Sequence, residues 1–253
     1  MSDHPDPEPS APPHDATAAA PALSATVIRD SLVEAGLKLF AAQGYEATSP
    51  QVLAAVAGVN PAAIPFYFGG REGVYLAVVQ RLLHQLAPRL QALIGRLDAA
   101  LMKVSSPVMV APLLEAFAAG QLEIIHALPE AAFLFREQFR PSLAFDLLYR
   151  DWLEPAHRFN TRLLALLLQK AADDPETVLL EQALSGVVGS FVQNRATWQR
   201  RLEAVTEHGM TETDCAATAT VRAVRHLVRY MIQGALLGRQ GTAGVSASAA
   251  AQP

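Results

Sequence analysis

Only one cysteine, Cys215, occurs in the 253 residues, which excludes an intrachain disulfide and a multi-cysteine metal centre. The seven histidines include no pair at metal-ligand spacing on one helix. No serine sits in a nucleophile motif. The Gly69-Gly70 pair follows no strand and precedes no Lys-Ser/Thr, so it is not a nucleotide loop. No catalytic residue, metal ligand or cofactor can therefore be named, and the chain is not expected to be an enzyme. No run of ~18 uninterrupted apolar residues is present, so no membrane-spanning helix is expected. Runs alternating between apolar and polar residues are missing too, which points to an all-α fold.

Positive charge is absent from two places. Residues 1–23 contain neither Lys nor Arg, so they resemble neither a secretory signal nor a transit peptide. Their Pro, Ala, Ser and Asp content reads as a disordered acidic tail, and a cytoplasmic protein is expected. Asp3, Asp6, Glu8 and Asp15 account for the whole net charge of -4. Ala47 to Gly70 holds no charged residue at all, and that stretch matters most.

The chain is organised around Leu37 to Tyr75. Ser49-Pro50 and Asn60-Pro61 each place a capping side chain before a proline suited to a first helical position. Gln51 to Ala57 is two turns long, with Val52, Leu53 and Val56 on one face. Gly58 offers the left-handed backbone that ends a helix. Ile64 with Phe66-Tyr67-Phe68 closes a second short helix. This spacing predicts a helix-turn-helix, in which the first helix braces and the second enters the DNA major groove. With Ile64 inward, Ala62, Ala63 and Pro65 face the groove, while Phe66 and Phe68 are assigned to the core. Thr48, Ser49 and Gln51 stand where hydroxyls and free backbone N–H groups suit phosphate oxygens. Base readout would lean on Asn60, Pro61, apolar contact with thymine methyls and DNA shape.

The run Leu39-Phe40, Gly44-Tyr45, Ala47-Thr48-Ser49, Ala57-Gly58-Val59-Asn60, Ala62-Ala63-Ile64, Tyr67-Phe68-Gly69-Gly70 and Glu72-Gly73-Val74-Tyr75 resembles the DNA-binding domain of the tetracycline-repressor (TetR) family. Phe135 to Ser142 and Asn194-Arg195 through Leu202 are similar to its CecR-like branch. The resemblance implies a homodimeric, bacterial, ligand-responsive regulator, most simply a repressor, that binds double-stranded operator DNA. It also implies that the Tyr67 hydroxyl meets the DNA backbone. Gly70 and Arg71 would form a second phosphate grip, with Arg71 where the family usually has lysine, and Arg29 could reach another phosphate. Two positions depart from the pattern. Pro65 replaces a polar or aromatic base-reading residue, and Gln51 replaces a frequent arginine. An alternative therefore stays open, a TetR-like helical interaction module that no longer binds DNA.

The chain then divides into a tail (1–23), a DNA-binding head (24–84), a helical effector and dimerisation body (85–237) and a second disordered tail (238–253). A long helix from Arg71 past Leu101 would join head to body. Further helices are predicted at Pro107–Leu128, Glu130–Arg140, Ser142–Gln169 (kinked at Pro155), Pro175–Arg201 and Thr211–Leu237. By the resemblance, the body encloses a small-molecule pocket. Its candidates are Phe117, His126, Phe133, Arg136, Trp152, His157, Gln193 and Asn194, with Gln138 and Met109 nearby. In the family this chain resembles, the last two long helices pair across a two-fold axis. The resemblance implies the same here, through the small residues Ala183, Gly186 and Gly189 and the stripe Val221, Val224, Val228 and Met231.

Overall fold

A computed structural model of the chain describes residues 24–205 and 214–249. Among the described residues the regular structure is entirely helical. The tail predicted for 1–23 lies outside them.

Four helices build the head. In α1 (Ala25–Gln43), Ser24 Oγ caps the Val27 N–H and Gly44 closes the end. Helix α2 spans Pro50–Ala57, with the Val52 N–H donating to Ser49 Oγ at 3.2 Å and Gly58 left-handed at φ 66°. Proline at the first position and a hydroxyl before it are local signals, and both limits of α2 fall where the sequence puts them. Helix α3 is shorter, Ala63–Phe68. Asn60 Oδ1 accepts from the Ala62 N–H at 2.9 Å, making a turn ahead of α3 instead of its cap. Pro65 has no N–H to give. The chain compensates by winding tightly: Ala63 and Ile64 donate to carbonyls three residues back, those of Asn60 and Pro61, before Phe66 reaches Ala62. Gly69 (φ 72°) and Gly70 (φ 142°) then reverse the chain into α4 (Arg71–Leu101).

Leu32, Phe40, Leu53, Ile64, Val74 and Val78 are at most 1% exposed and form the core of the head. Each such side chain contributes roughly 1.5–3 kcal/mol by leaving water. Helix α4 runs on into the body without a break. Pro88 sits on its exposed side, four residues after the expected head boundary, and leaves the His84 carbonyl without its helical partner.

The body is built round α5 (Ala111–His126), entered through a short 3₁₀ turn at Pro107–Val110. Pro107–His126 has mean hydropathy 1.6 and is long and apolar enough to cross a membrane, by length and composition only. Its burial explains the apolarity: Leu114, Phe117 and Leu122 are at most 1% exposed, packed against α4, α8 and α10. Arg229 of α10 also grips the buried Glu115 with two bonds, 3.0 and 2.7 Å.

Four later predictions need correction. Glu130–Arg140 is not an α-helix: Pro129–Gln138 winds as a 3₁₀ helix wedged between α1, α5 and α8. The tighter coil rises ~2.0 Å per residue and so covers the distance with fewer residues. Within Ser142–Gln169, α6 (Phe145–Leu148) passes through a π turn at Tyr149–Leu153 into α7 (Glu154–Leu168). That widened turn lies directly before Pro155, where an α-helical bond is impossible. Pro175–Arg201 breaks at Asn194 into α8 (Pro175–Gln193) and α9 (Arg195–Val205). Finally, α10 spans Asp214–Ala249, so helix continues where a tail was expected from Gly238; alanine-rich sequence favours that extension.

Candidate nucleic-acid interface

The α2–turn–α3 unit presents Gln51, Asn60, Pro61, Ala62 and Pro65 to solvent, with Ala63 and Tyr67 half-buried and Ile64 only 1% exposed. Two residues lie differently from the expectation. Thr48 is fully buried: its hydroxyl donates to the Gly44 carbonyl at 2.8 Å and accepts from Gln43 Nε2 at 3.1 Å. It braces the α1–α2 turn and offers no hydroxyl to a phosphate. Phe66, assigned to the core, is 79% exposed. It stands edge-on to Tyr67, ring centroids 4.8 Å apart. Val52 and Val56 add further exposed apolar surface on α2.

The cations nearest this face are largely occupied. Arg71 donates to the Thr48 carbonyl at 3.0 Å and lies 4.1 Å over the Tyr45 ring. Arg29 donates to the Tyr67 carbonyl at 2.9 Å, 4.8 Å over Phe68. Arg81 pairs with Glu34 at 3.1 Å. Both Arg29 and Arg71 thus hold α3 and the α2 entrance in place, using part of a guanidinium that carries five donors. Lys38 is exposed and has no partner among the described residues.

The predicted effector residues do not gather in one place. Phe117 and Trp152 are packed core, edge-on to Phe159 and Phe135. His157 Nδ1 meets the buried Glu181 at 2.7 Å, and Ser185 donates to the same oxygen at 2.6 Å, a structural trio. Gln193, Asn194 and Met109 are exposed. His126 Nδ1 is buried without a partner; burial, then the charge of Arg195, pushes its pKa down, keeping the ring neutral. Phe133 and Arg136, by contrast, line a cavity of about 500 Å³ between head and body. At its floor Tyr75 of α4 donates to Glu137 Oε1 at 2.5 Å, while the Ser142 N–H and hydroxyl donate to Oε2 at 2.9 and 2.8 Å.

The dimer stripe also divides. Val224 and Val228 are fully buried within the chain, on a helix that packs against α5 and α8. Val221, Met231 and Gly189 are half-buried, whereas Ala183 and Gly186 are exposed. The outward face beside them carries Leu179, Tyr230 and Leu237, 70%, 68% and 66% exposed.

Comparison with known proteins agrees with this geometry. Residues 32–78 match the bacterial regulatory protein tetR family, and residues 112–235 match the C-terminal domain of the HTH-type transcriptional dual regulator CecR. CecR of Shigella flexneri is 29% identical over 179 residues, 67% of this chain and 77% of its own. The transcriptional regulator BetI of Brucella anthropi is 30% identical over 82 residues, 32% of this chain and 42% of its own. Among solved structures, a TetR-like regulator from Rhodococcus sp. RHA1 superposes with a TM-score of 0.55 at 16% identity, covering 85% of this chain and 99% of that one. PfmR from Thermus thermophilus gives 0.52 at 16% identity, covering 80% and 97%. The two structures share the fold. With a tetR-type head and a CecR-type body in one chain, in that order, the protein belongs to the TetR family of bacterial transcriptional regulators.

Proposed function

We propose that the protein is a ligand-responsive repressor that grips operator DNA as a homodimer in the bacterial cytoplasm. The observation that carries this reading is the outward face of α2 and α3, where Gln51, Asn60, Pro65, Phe66 and Tyr67 lie together on an uncharged surface. An uncharged reading face suits thymine methyls and groove shape more than the phosphate field. Affinity for random DNA is then low, and the salt dependence is shallow.

Fluorescence anisotropy on the chain's own upstream DNA tests this. Wild-type protein is expected to bind it selectively, with a salt slope corresponding to only about two or three neutralised phosphates. Tyr67→Phe should weaken binding about fivefold, the value of one hydrogen bond. Equal, feeble binding to upstream and scrambled DNA would instead identify a helical interaction module that has lost DNA contact.

Two heads must reach half-sites ~34–36 Å apart, which requires a dimer. The surface that supports it is the exposed side of α8 and α10 around Leu179, Ala183, Gly186, Tyr230 and Leu237. Tyr230→Asp with Leu179→Asp is expected to give monomers by sedimentation velocity, because two charges would enter a desolvated contact. A dimer that persists would rule this face out. Regulation follows if an effector prefers the state with mis-spaced heads and shifts the population by that preference.

A further inference from the structure

Two spaces in the body differ widely. The gap among Leu164, Leu167, Leu184 and Ile232, between α7, α8 and α10, measures about 10 Å³, roughly the threshold for a single water. A wide cleft beside α4 and α7, with Asp98, His157 and Arg162 on its walls, measures about 800 Å³, but its Asp98 and Arg162 are already paired with each other. The junction cavity, at about 500 Å³, falls within the roughly 300–1,000 Å³ of ordinary small-molecule sites.

Its walls differ in charge. The head side contributes Glu46, just beyond α1, and Glu72 in the first turn of α4. The body side contributes Arg136 and Arg140. All four are exposed and none forms an ion pair among the described residues. The third carboxylate, Glu137, is 6% exposed and already takes three hydrogen bonds from Tyr75 and Ser142. Between the walls lies an aromatic floor: Tyr75 is 5.0 Å from Tyr45 and 5.9 Å from Phe133, centroid to centroid.

The geometry points to a zwitterionic, aromatic small molecule as the occupant of this cavity, its cationic end on the head carboxylates and its anionic end on the body guanidiniums. This rests on the regulator reading and gives its effector a place and a chemistry. A neutral occupant would desolvate four charges without pairing any, and a singly charged one would leave one wall uncompensated. A zwitterion pairs with both walls. It also ties head to body directly and biases the angle at which α3 meets DNA.

Isothermal titration of the full chain with L-phenylalanyl-L-phenylalanine tests the proposal, with two capped controls. The N-acetyl dipeptide keeps only the anion and the C-terminal amide keeps only the cation. The free dipeptide is expected to bind at least about tenfold tighter than either, the value of one well-made charged contact. Glu46→Gln with Glu72→Gln should erase its advantage over the N-acetyl form. Arg136→Gln with Arg140→Gln should erase its advantage over the amide. All four side chains are exposed, so the fold should tolerate these changes. Equal affinities for the three probes, a preference that survives both double substitutions, or no heat at millimolar dipeptide would each overturn the proposal. The readout needs no DNA. Failure to bind an operator would sink the regulator reading without touching the calorimetry.

Discussion

Replacing Gly73 with alanine should unhinge the head and lower operator affinity about a hundredfold or more. A Cβ at Gly73 would stand 1.8 Å from the Phe68 carbonyl oxygen and 2.8 Å from its carbon. Both atoms are backbone at the end of α3, so no side-chain rotation relieves the contact. Phe68 must move, and with it Tyr67, Phe66 and the Gly69-Gly70 reversal. Overpacking typically costs ~1–3 kcal/mol, and a backbone clash belongs at or above the top of that range. The damage should centre on the α3–α4 corner, although a single hydrophobic core runs along α4 from head to body. Gly95→Ala is the matched control: it lies exposed in the same helix with nothing within 4 Å of the added Cβ, and should stabilise by up to ~1 kcal/mol through helix propensity. Anisotropy on upstream DNA together with thermal melts separates the two. Wild-type binding by Gly73→Ala would show that the α3–α4 corner is not the strict joint described above.

The second strong effect concerns Tyr75 and Glu137, which join α4 to the 3₁₀ segment. Tyr75→Phe removes the hydroxyl that donates to a buried carboxylate. A hydrogen bond to a charged group contributes ~1.5–3 kcal/mol, so a loss of about 2 kcal/mol is expected in chemical denaturation. The phenol also leaves a pH signature. Burial first, then the hydrogen bond and the charge of Glu137, push its pKa far above the ordinary 10.0. Below pH 10 both folded and unfolded Tyr75 are protonated and stability does not depend on it. Above pH 10 the unfolded phenol releases its proton while the folded one retains it, so stability falls by ~1.4 kcal/mol per pH unit. The difference between wild-type and Tyr75→Phe denaturation curves isolates this term from the other tyrosines. Parallel curves from pH 9 to 11 would mean that Tyr75 ionises as freely in the folded protein as in the unfolded one.

What could be read from the residues alone was whatever local chemistry decides. Ser49-Pro50 and Gly58 bound α2 because a hydroxyl cap, a ring-locked φ and a left-handed glycine act within one or two residues. The direction of Phe66 was readable too. Two residues beyond inward-facing Ile64 is ~200° round a helix, hence outward, yet Phe66 was assigned with Phe68 to the core. Thr48 was ambiguous in principle, because a hydroxyl ahead of a helix serves equally as brace or as phosphate ligand. The α10 stripe exposed another limit. Periodicity identifies an apolar face, but α10 has apolar residues on two sides, and only packing shows that Val224 and Val228 are buried inside the chain while Leu227 and Tyr230 remain outside. The 3₁₀ segment and the charged walls of the junction cavity are tertiary facts. Glu46, Glu72, Arg136 and Arg140 are up to 94 positions apart in the chain, and no local pattern brings them together.

The contact of α1 and Tyr75 with the 3₁₀ segment has a mechanical consequence. A head hung from α4 alone would swing like a pendulum, and its position would say little about events in the body. Here the head is also held where α1 packs on the 3₁₀ segment and where the Tyr75 hydroxyl donates to Glu137. Those side attachments leave one main motion, a rocking of the head against the 3₁₀ segment. A molecule that shortens or lengthens the junction therefore has a single coordinate to drive, and the two heads of a symmetric pair would turn through equal and opposite angles.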